Sequence, residues 1–296
     1  MMEVLFSLLV YPGMAFLAVL ATLYYGIMRK VFARAQNRKG PPVTQPFYDL
    51  LKLFSKESIV PEKAGPGFTI FPAAVLVSAF VLAAAIPLAG FSLVNVDMII
   101  LAYLCVLTPF CVYMAGLSSG SPYPAIGAQR GFVQFIGYEF PFLVSFLVPF
   151  IAAKTSYAFF VVAAQQSAGW LAVTYPVAAV VFLITIMGKA EIPPFHVPAA
   201  KQELVGGYAT ELSGWRLGSV ELGKYVELLA LLSLFTVLFL GGSGNIWTFL
   251  AKTLGVLLFL SLMKSVFARF RIDSVFRFYW VLGFLSLFDL VRSMMA

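Results

Sequence analysis

The chain has 296 residues, of which 61% are hydrophobic and only 11% charged, with a mean hydropathy of +0.94. Soluble domains run at roughly 45–50% apolar and about 25% charged, so this composition is that of a membrane protein and excludes a disordered chain or a secreted disulfide scaffold. The net charge is +7, from 20 Lys and Arg against 13 Asp and Glu, and the placement of those few charges carries the functional argument.

A hydrocarbon core about 30 Å thick needs roughly 20 apolar residues per spanning helix. Eight runs predict spans near 3–28, 68–90, 96–117, 132–152, 170–188, 216–240, 246–268 and 274–294. Runs such as AAVLVSAFVLAAAIPLAG are apolar on every face instead of alternating with period two, so an all-α integral membrane fold is expected and a β-barrel is not. The first run is long for a signal-peptide core and no small-residue cleavage pattern follows it, which reads as a retained helix. Segment 45–56 sets Phe47, Leu50, Leu51 and Phe54 opposite Asp49, Lys52 and Lys56 and predicts a short interfacial amphipathic helix. Segment 156–164 is too short to span and is expected to rest on or dip into the outer surface. No repeat or low-complexity linker divides the chain, so 1–296 reads as a single membrane domain.

Sixteen of the twenty basic residues fall in the connections 29–67, 118–131, 189–216 and 264–277, whereas the alternate connections hold Lys154 alone. The positive-inside rule then puts the heavy loops in the cytoplasm and both termini outside, in a multi-pass protein of the cell membrane. A basic face against anionic lipid accounts for the net charge, and no nucleic acid is expected.

Cys105 and Cys111 both fall within the third span and read as buried thiols. His196 is the sole histidine, and neither metal-ligand spacing nor a phosphate-cradling glycine loop occurs. Metal and cofactor sites in this chain are therefore expected to be none, and no catalytic residue is assigned.

An ionised side chain at the centre of a spanning helix costs on the order of 2.5–3.5 kcal/mol on insertion scales, so such residues usually face a bundle interior or a wet cavity. Glu221, Lys224 and Glu227 share the sixth span at i, i+3 and i+6, where Lys224 is expected to reach both carboxylates. At about 1.5 Å per residue from Arg216, Glu227 sits roughly 17 Å deep. Glu139 lies in the fourth span, with Arg130 as its only sequence-local cation. These groups are the candidates for a proton path. Asp97, Lys252, Lys264, Asp289 and Arg292 sit near span ends, where snorkelling to the interface is expected. The loop 189–216 carries Pro193, Pro194 and Pro198, the Gly206-Gly207 pair, and Glu191, Glu203 and Glu211 among apolar residues. It is long for a plain linker and is expected to pack at the cytoplasmic face, lining a cavity or docking a partner.

Four stretches carry a resemblance. RAQNRKGPPVTQPFYDLLKLFSKE (34–57), AIGAQRGFVQFIGYEF (125–140), the loop 189–216 and ARFRIDSVFRFYW (268–280) resemble, in order, the signature regions of NADH dehydrogenase subunit 1, the heel subunit of respiratory complex I. The same subunit recurs in archaeal energy-converting membrane-bound hydrogenases and related complexes. The resemblance covers essentially the whole chain. It implies cytoplasmic loops that grip an iron–sulfur small subunit and a hydrogenase-like large subunit, with acids that begin a proton route toward antiporter-like membrane subunits. Iron–sulfur clusters and NiFe would then belong to those partners. By motif, Glu139 looks like the family's fourth-span glutamate. Glu203 and Glu211 look like the acids of its Glu-Leu-Val-x-Gly and Glu-Tyr-Ser-Gly elements. Arg38, Gly40 and Pro41 look like its Arg-x-Gly-Pro element, and Arg269, Arg271 and Asp273 like its Pro-Arg-x-Arg-x-Asp loop, with Ala268 in place of proline.

Two departures bear on the substrate. Quinone-reducing members read Glu-Thr-Asn-Arg-x-Pro-Phe-Asp where this chain has Glu191-Ile192-Pro193-Pro194-Phe195-His196, and the family's Ala-Glu-Tyr becomes Gly223-Lys224-Tyr225. Glu191 and His196 join Arg38, Gly40, Pro41, Arg269, Arg271 and Asp273 as expected docking residues for the peripheral arm. Glu139, Glu203, Glu211, Glu221, Lys224 and Glu227 form the expected proton path. The departures favour a ferredoxin-driven hydrogenase or sulfur-reducing complex over a donor:quinone oxidoreductase, with a free-standing transporter as the remaining alternative. The terminal acceptor and the pumped ion, H⁺ or Na⁺, stay open.

Overall fold

A computed structural model of the chain describes residues 13–87, 96–157, 161–162, 165, 169–199 and 201–295. In chain order they form α1 (Met14–Ala35), α2 (Gln45–Ser55), α3 (Gly67–Ala85), α4 (Met98–Leu117), α5 (Pro122–Ala152), the single turn α6 (Leu171–Thr174), α7 (Pro176–Lys189), the turn α8 (Lys201–Leu204), a 3-10 turn at Gly207–Ala209, α9 (Gly214–Phe239), α10 (Ile246–Val266) and α11 (Ile272–Met295). Seven of these, α1, α3, α4, α5, α9, α10 and α11, are long and apolar enough to cross a membrane. This is an all-helical, multi-pass membrane protein. Segment 156–164 and the opening of the first predicted span fall largely outside the described residues.

Helix boundaries depart from the apolar runs where backbone chemistry overrides composition. The fifth run breaks at Tyr175, whose ψ of 70° is set against Pro176, leaving the 14-residue α7. Proline cannot donate to the preceding turn and disfavours helix in the residue before it. At about 1.5 Å per residue α7 is roughly 21 Å long, short of the hydrocarbon thickness. The fourth run, expected from residue 132, starts ten residues earlier at Pro122, because proline fits the first helical turn and the polar stretch behind it continues the helix inward. α1 likewise runs past Arg29 to Ala35.

α9 forms the axis. It packs against α1, α2, α3, α7 and α10, and 89% of its apolar stretch is buried. α11 lies along α5 and α7, and α10 along α1. The centre is aromatic: the Phe182 ring stacks on Phe142 at 5.3 Å and lies 5.5 Å from Phe239. α10 and α11 keep apolar faces outward, with Trp247, Leu262, Phe284 and Phe288 exposed. In a bilayer those faces meet lipid, which is as apolar as they are.

Polar residues near the helix ends do more than snorkel. Asp289 is fully buried, and its Oδ2 accepts the Ala178 N–H at 2.8 Å. α7 begins without a side-chain cap of its own, so the α11 carboxylate satisfies one of its orphan donors. That corrects the expectation of an interfacial aspartate. Lys252 donates to the carbonyls of Leu240 at 2.7 Å and Gly242 at 2.6 Å just past the end of α9. Asp97 caps α4 through the Met98 N–H at 3.1 Å. Cys105 and Cys111 are buried free thiols.

Candidate functional site

Two lysine–carboxylate pairs lie inside the bundle, each joining segments distant in sequence. Glu139 projects from mid-α5 and meets Lys189, the last residue of α7, at 2.9 Å. The lysine side chain is wholly buried; it also donates to the Cys105 carbonyl at 3.3 Å and stands 4.0 Å from the Phe142 ring centre. An ammonium there is held by one charge, one dipole and two π-faces, the second being the Tyr138 ring at 5.0 Å. The Glu139 side chain is 16% exposed, with Oε1 itself buried, and it lines a cavity of about 300 Å³ together with Met98, Ala102, Tyr103, Leu143 and Phe146. Glu139 thus has a cation that its local sequence did not reveal.

The second pair forms just beyond α7. Glu191 has φ of 51°, a left-handed conformation uncommon for a residue with a side chain, which turns the chain out of the helix. Its Oε2 lies 2.6 Å from Lys224 Nζ of α9 and accepts the Tyr208 hydroxyl at 2.8 Å. The Lys224 ammonium also contacts the Tyr208 hydroxyl and sits 4.6 Å from that ring's centre. Burial by itself would raise the Glu191 carboxyl; the Lys224 charge and hydrogen bond, with Tyr208, hold it below its ordinary value instead. His196 Nδ1 lies 2.9 Å from the Glu191 carbonyl oxygen, and burial drives the imidazole below its usual value despite the neighbouring Glu191 charge.

The structure therefore reassigns partners within the sixth-span triad. No ion pair joins Lys224 to Glu221 or Glu227 among the described residues, because the loop carboxylate and phenol take the ammonium instead. Glu227 is 3% exposed, its Oε1 has no hydrogen-bond partner, and it lies within electrostatic range of Lys189, Lys224 and Glu191. Among the described residues the other buried polar side-chain atoms without a hydrogen-bond partner are Tyr113 Oη, Gln134 Oε1, Tyr138 Oη, Glu139 Oε1 and Tyr279 Oη around the end of α7, and Gln165 Oε1, Arg216 Nε and Asp289 Oδ1 elsewhere. Buried polar groups in folded proteins are overwhelmingly paired, so this concentration sets the region apart from the apolar core around it. Gly188 is what lets the phenols approach: a Cβ there would stand 2.2 Å from Tyr279 Oη, and the Gly188 carbonyl accepts Gln134 Nε2 at 3.1 Å. Glu221 is half-buried, within electrostatic range of Tyr225 and Tyr25.

The remaining predicted residues lie elsewhere. Glu203 is half exposed, clamped by Arg130 at 2.5 Å and Arg269 at 2.7 Å, at a cleft of about 500 Å³ that Arg271 and Asp273 also line. The Arg130 hydrogen bond, with the Arg269 charge, holds its carboxyl below the ordinary range. It stands apart from the buried acids of the expected proton path. Glu191, expected among the docking residues, is buried, and Lys224 and Tyr208 offset its desolvation. Glu211 is partly buried, without an ion pair among the described residues. Arg38, Gly40 and Pro41 line a separate pocket at the end of α1. Sequence reasoning missed Lys189 and Tyr208. A lysine directly closing the apolar run FLITIMGK was the available signal, hidden by its inclusion among the basic loop residues.

Among the described residues no group of three or more His, Cys, Asp or Glu side chains could hold a metal ion. What the arrangement offers is a cluster of titratable groups: two compensated pairs and an uncompensated carboxyl within electrostatic range of both.

A family profile described as NADH dehydrogenase matches residues 8–294. An NADH-quinone oxidoreductase subunit from Syntrophotalea carbinolica is 34% identical over 296 residues, covering 90% of this chain and 89% of that protein. The subunit of the same name from Geobacillus kaustophilus is 34% identical over 299 residues, covering 93% and 89%. Among solved structures, a chain of the membrane-bound sulfane sulfur reductase, an archaeal respiratory membrane complex, is similar with a TM-score of 0.89 and 26% identity, over 94% of this chain and 96% of that one.

Proposed function

Because the chain belongs to the NADH dehydrogenase subunit 1 family, we propose that it is the heel subunit of a ferredoxin-driven, ion-translocating complex of the archaeal sulfur-reducing or hydrogenase type. In this reading its basic loops seat an iron–sulfur small subunit and a hydrogenase-like large subunit. Its buried charges carry the first part of a proton path toward antiporter-like membrane subunits. The observation that carries the proposal is Glu227, a carboxyl buried at mid-helix without a partner for Oε1 and flanked electrostatically by both lysine–carboxylate pairs. Two ammoniums offset two carboxylates, so Glu227 is the member able to gain or lose a proton without breaking a pair.

Coupling enters through the loop 189–216, since Glu191 and Tyr208 reach from it to Lys224 of α9. A shift of that loop, driven by electron transfer in attached subunits, loosens the Lys224–Glu191 pair and changes the field at Glu227. A proton then moves between Glu227 and the Lys189–Glu139 pair. The near full-length structural match to the sulfane sulfur reductase chain and the loss of the arginine after Glu191 support the quinone-free type. The 34% relatives, all subunits of quinone oxidoreductases by name, favour the second reading, a quinone-site subunit.

The test uses the assembled complex in sealed vesicles. Glu227→Gln and Glu139→Gln each keep ferredoxin oxidation at least in part and lower the ion gradient formed; an undiminished gradient in both variants rejects the path. Quinone reduction by the same preparation, with a bound quinone detected by mass spectrometry, would select the second reading.

A further inference from the structure

We infer that the pocket between the end of α1 and the last turn of α10 binds the phosphate of an anionic phospholipid headgroup. The pocket has a volume of about 270 Å³ and is lined by Arg29, Phe32, Arg38, Gly40, Pro41 and Lys264. Three side chains in this lining carry positive charge, and none carries negative charge. Among the described residues Asp49 is the one carboxylate bonded to any of them: it takes Arg29 Nη1 at 2.8 Å and is shared with Gln45 Nε2 at 3.0 Å. Among the described residues the Arg38 guanidinium is bonded only to the neutral amide of Gln36. Lys264 has no acidic partner among the described residues; its ammonium stands 4.8 Å from the Phe32 ring centre and within electrostatic range of Arg29. After Asp49 is counted, two positive charges converge on one concavity without a counter-ion of their own.

The chemistry that suits such a site is a phosphate. A guanidinium presents a planar fork to two phosphate oxygens, an ammonium adds a point charge, and phosphate supplies acceptors with no donor to desolvate. Gly40 shapes the wall: its φ of 46° folds the loop back across α1, and a Cβ would meet that of Ala33 at 2.6 Å. A lipid rather than a free anion is indicated by what adjoins the charges. Both α1 and α10 are long and apolar enough to cross a membrane, and the pocket lies at their adjoining ends, at the depth of the lipid headgroups. Basic pockets between spanning helices are where anionic headgroups are held. The site is separate from Glu139, Glu191 and Glu227, and it gives Arg38, Gly40 and Pro41, expected from the sequence to dock the peripheral arm, a lipid phosphate as partner instead.

The full chain, with whatever subunits co-purify, is titrated in neutral detergent with phosphatidylglycerol, with phosphatidylcholine and with millimolar inorganic phosphate, reading the thermal unfolding midpoint. Phosphatidylglycerol raises the midpoint saturably and the other two do not. Arg38→Gln and Lys264→Gln each raise the half-saturating concentration by about tenfold, the loss of one charge-assisted hydrogen bond. Arg34→Gln, which removes an exposed charge from the same segment but outside the pocket, leaves it unchanged. Arg38 is on an exposed loop, so its variant reports on the site even where Lys264→Gln impairs folding. Equal loss in Arg34→Gln and Arg38→Gln would mean diffuse surface charge and overturn the site. Equal stabilisation by phosphatidylcholine, or by inorganic phosphate alone, would overturn the lipid as its occupant, and a wild-type response in Arg38→Gln would overturn the pocket.

Discussion

Replacing Lys189 by methionine isolates the energetics of the buried pair. The methionine keeps the apolar stem against Phe142 but removes the ammonium that holds Glu139 Oε2 at 2.9 Å and the Cys105 carbonyl at 3.3 Å. Removing one partner of a buried ion pair costs about 3–5 kcal/mol, chiefly because the other charge is left uncompensated. Glu139 retains 16% of its side-chain exposure, so the low end applies, about 3 kcal/mol, or roughly a 150-fold fall in the folded-to-unfolded ratio. The double variant Lys189→Met/Glu139→Leu removes both charges and returns to within about 1 kcal/mol of the parent, since apolar replacement of a whole buried pair is close to neutral. Equilibrium unfolding in mixed micelles, followed by tryptophan fluorescence, measures all four corners of the cycle. A coupling energy near zero, with the double variant as unstable as the sum of the singles, refutes the pairing.

Other outcomes follow from the same packing. Gly188→Ala sets a methyl 2.2 Å from Tyr279 Oη and 3.1 Å from Tyr138 Cδ1, and lowers stability by about 1–3 kcal/mol in the same unfolding assay. Asp289→Ala removes the cap on Ala178 and costs about 1 kcal/mol or more, whereas Asp289→Asn, which keeps an acceptor oxygen, costs less. For His196 the folded imidazole lies below its unfolded value of 6.5, so the unfolded state binds more protons as pH falls. Its contribution is therefore intact above pH 6.5 and lost as pH drops through the depressed folded value. Midpoints measured between neutral and mildly acid pH decline in the parent and flatten in His196→Asn; identical slopes in both would refute the assignment.

The long helices were legible because a residue exposed to lipid and a residue buried in the bundle are both apolar, so span composition hardly depends on neighbours. α9 and α10 differ from their predicted limits by two residues or fewer at each end. The ends of α5 and α7 were not legible from hydropathy, because Pro122 permits a polar helical turn and Pro176 forbids an apolar one. Within the site, Glu139, Lys224 and Glu227 could be singled out from the cost of charge at membrane depth. Their partners could not. Lys189 is fifty residues from Glu139 and Glu191 thirty-three from Lys224, and side-chain spacing along one helix says nothing of a carboxylate delivered by a loop. Asp289 misled for a related reason: a charge near a helix end caps another helix when that helix lacks a cap of its own.

The sheathing of α9 bears on how the polypeptide is made. A segment carrying Glu221, Lys224 and Glu227 would face lipid at a penalty of about 2.5–3.5 kcal/mol for each charge if it entered the bilayer alone. Its counter-charge and phenol come from residues 191 and 208, synthesised before it, and the walls that screen it include α1, α3 and α7. Stable residence of this helix in the bilayer thus waits on the N-terminal two-thirds already standing there. A ribosome-bound intermediate truncated ahead of α7 yet extended artificially into α9 should leave that helix in the translocation machinery or on the surface.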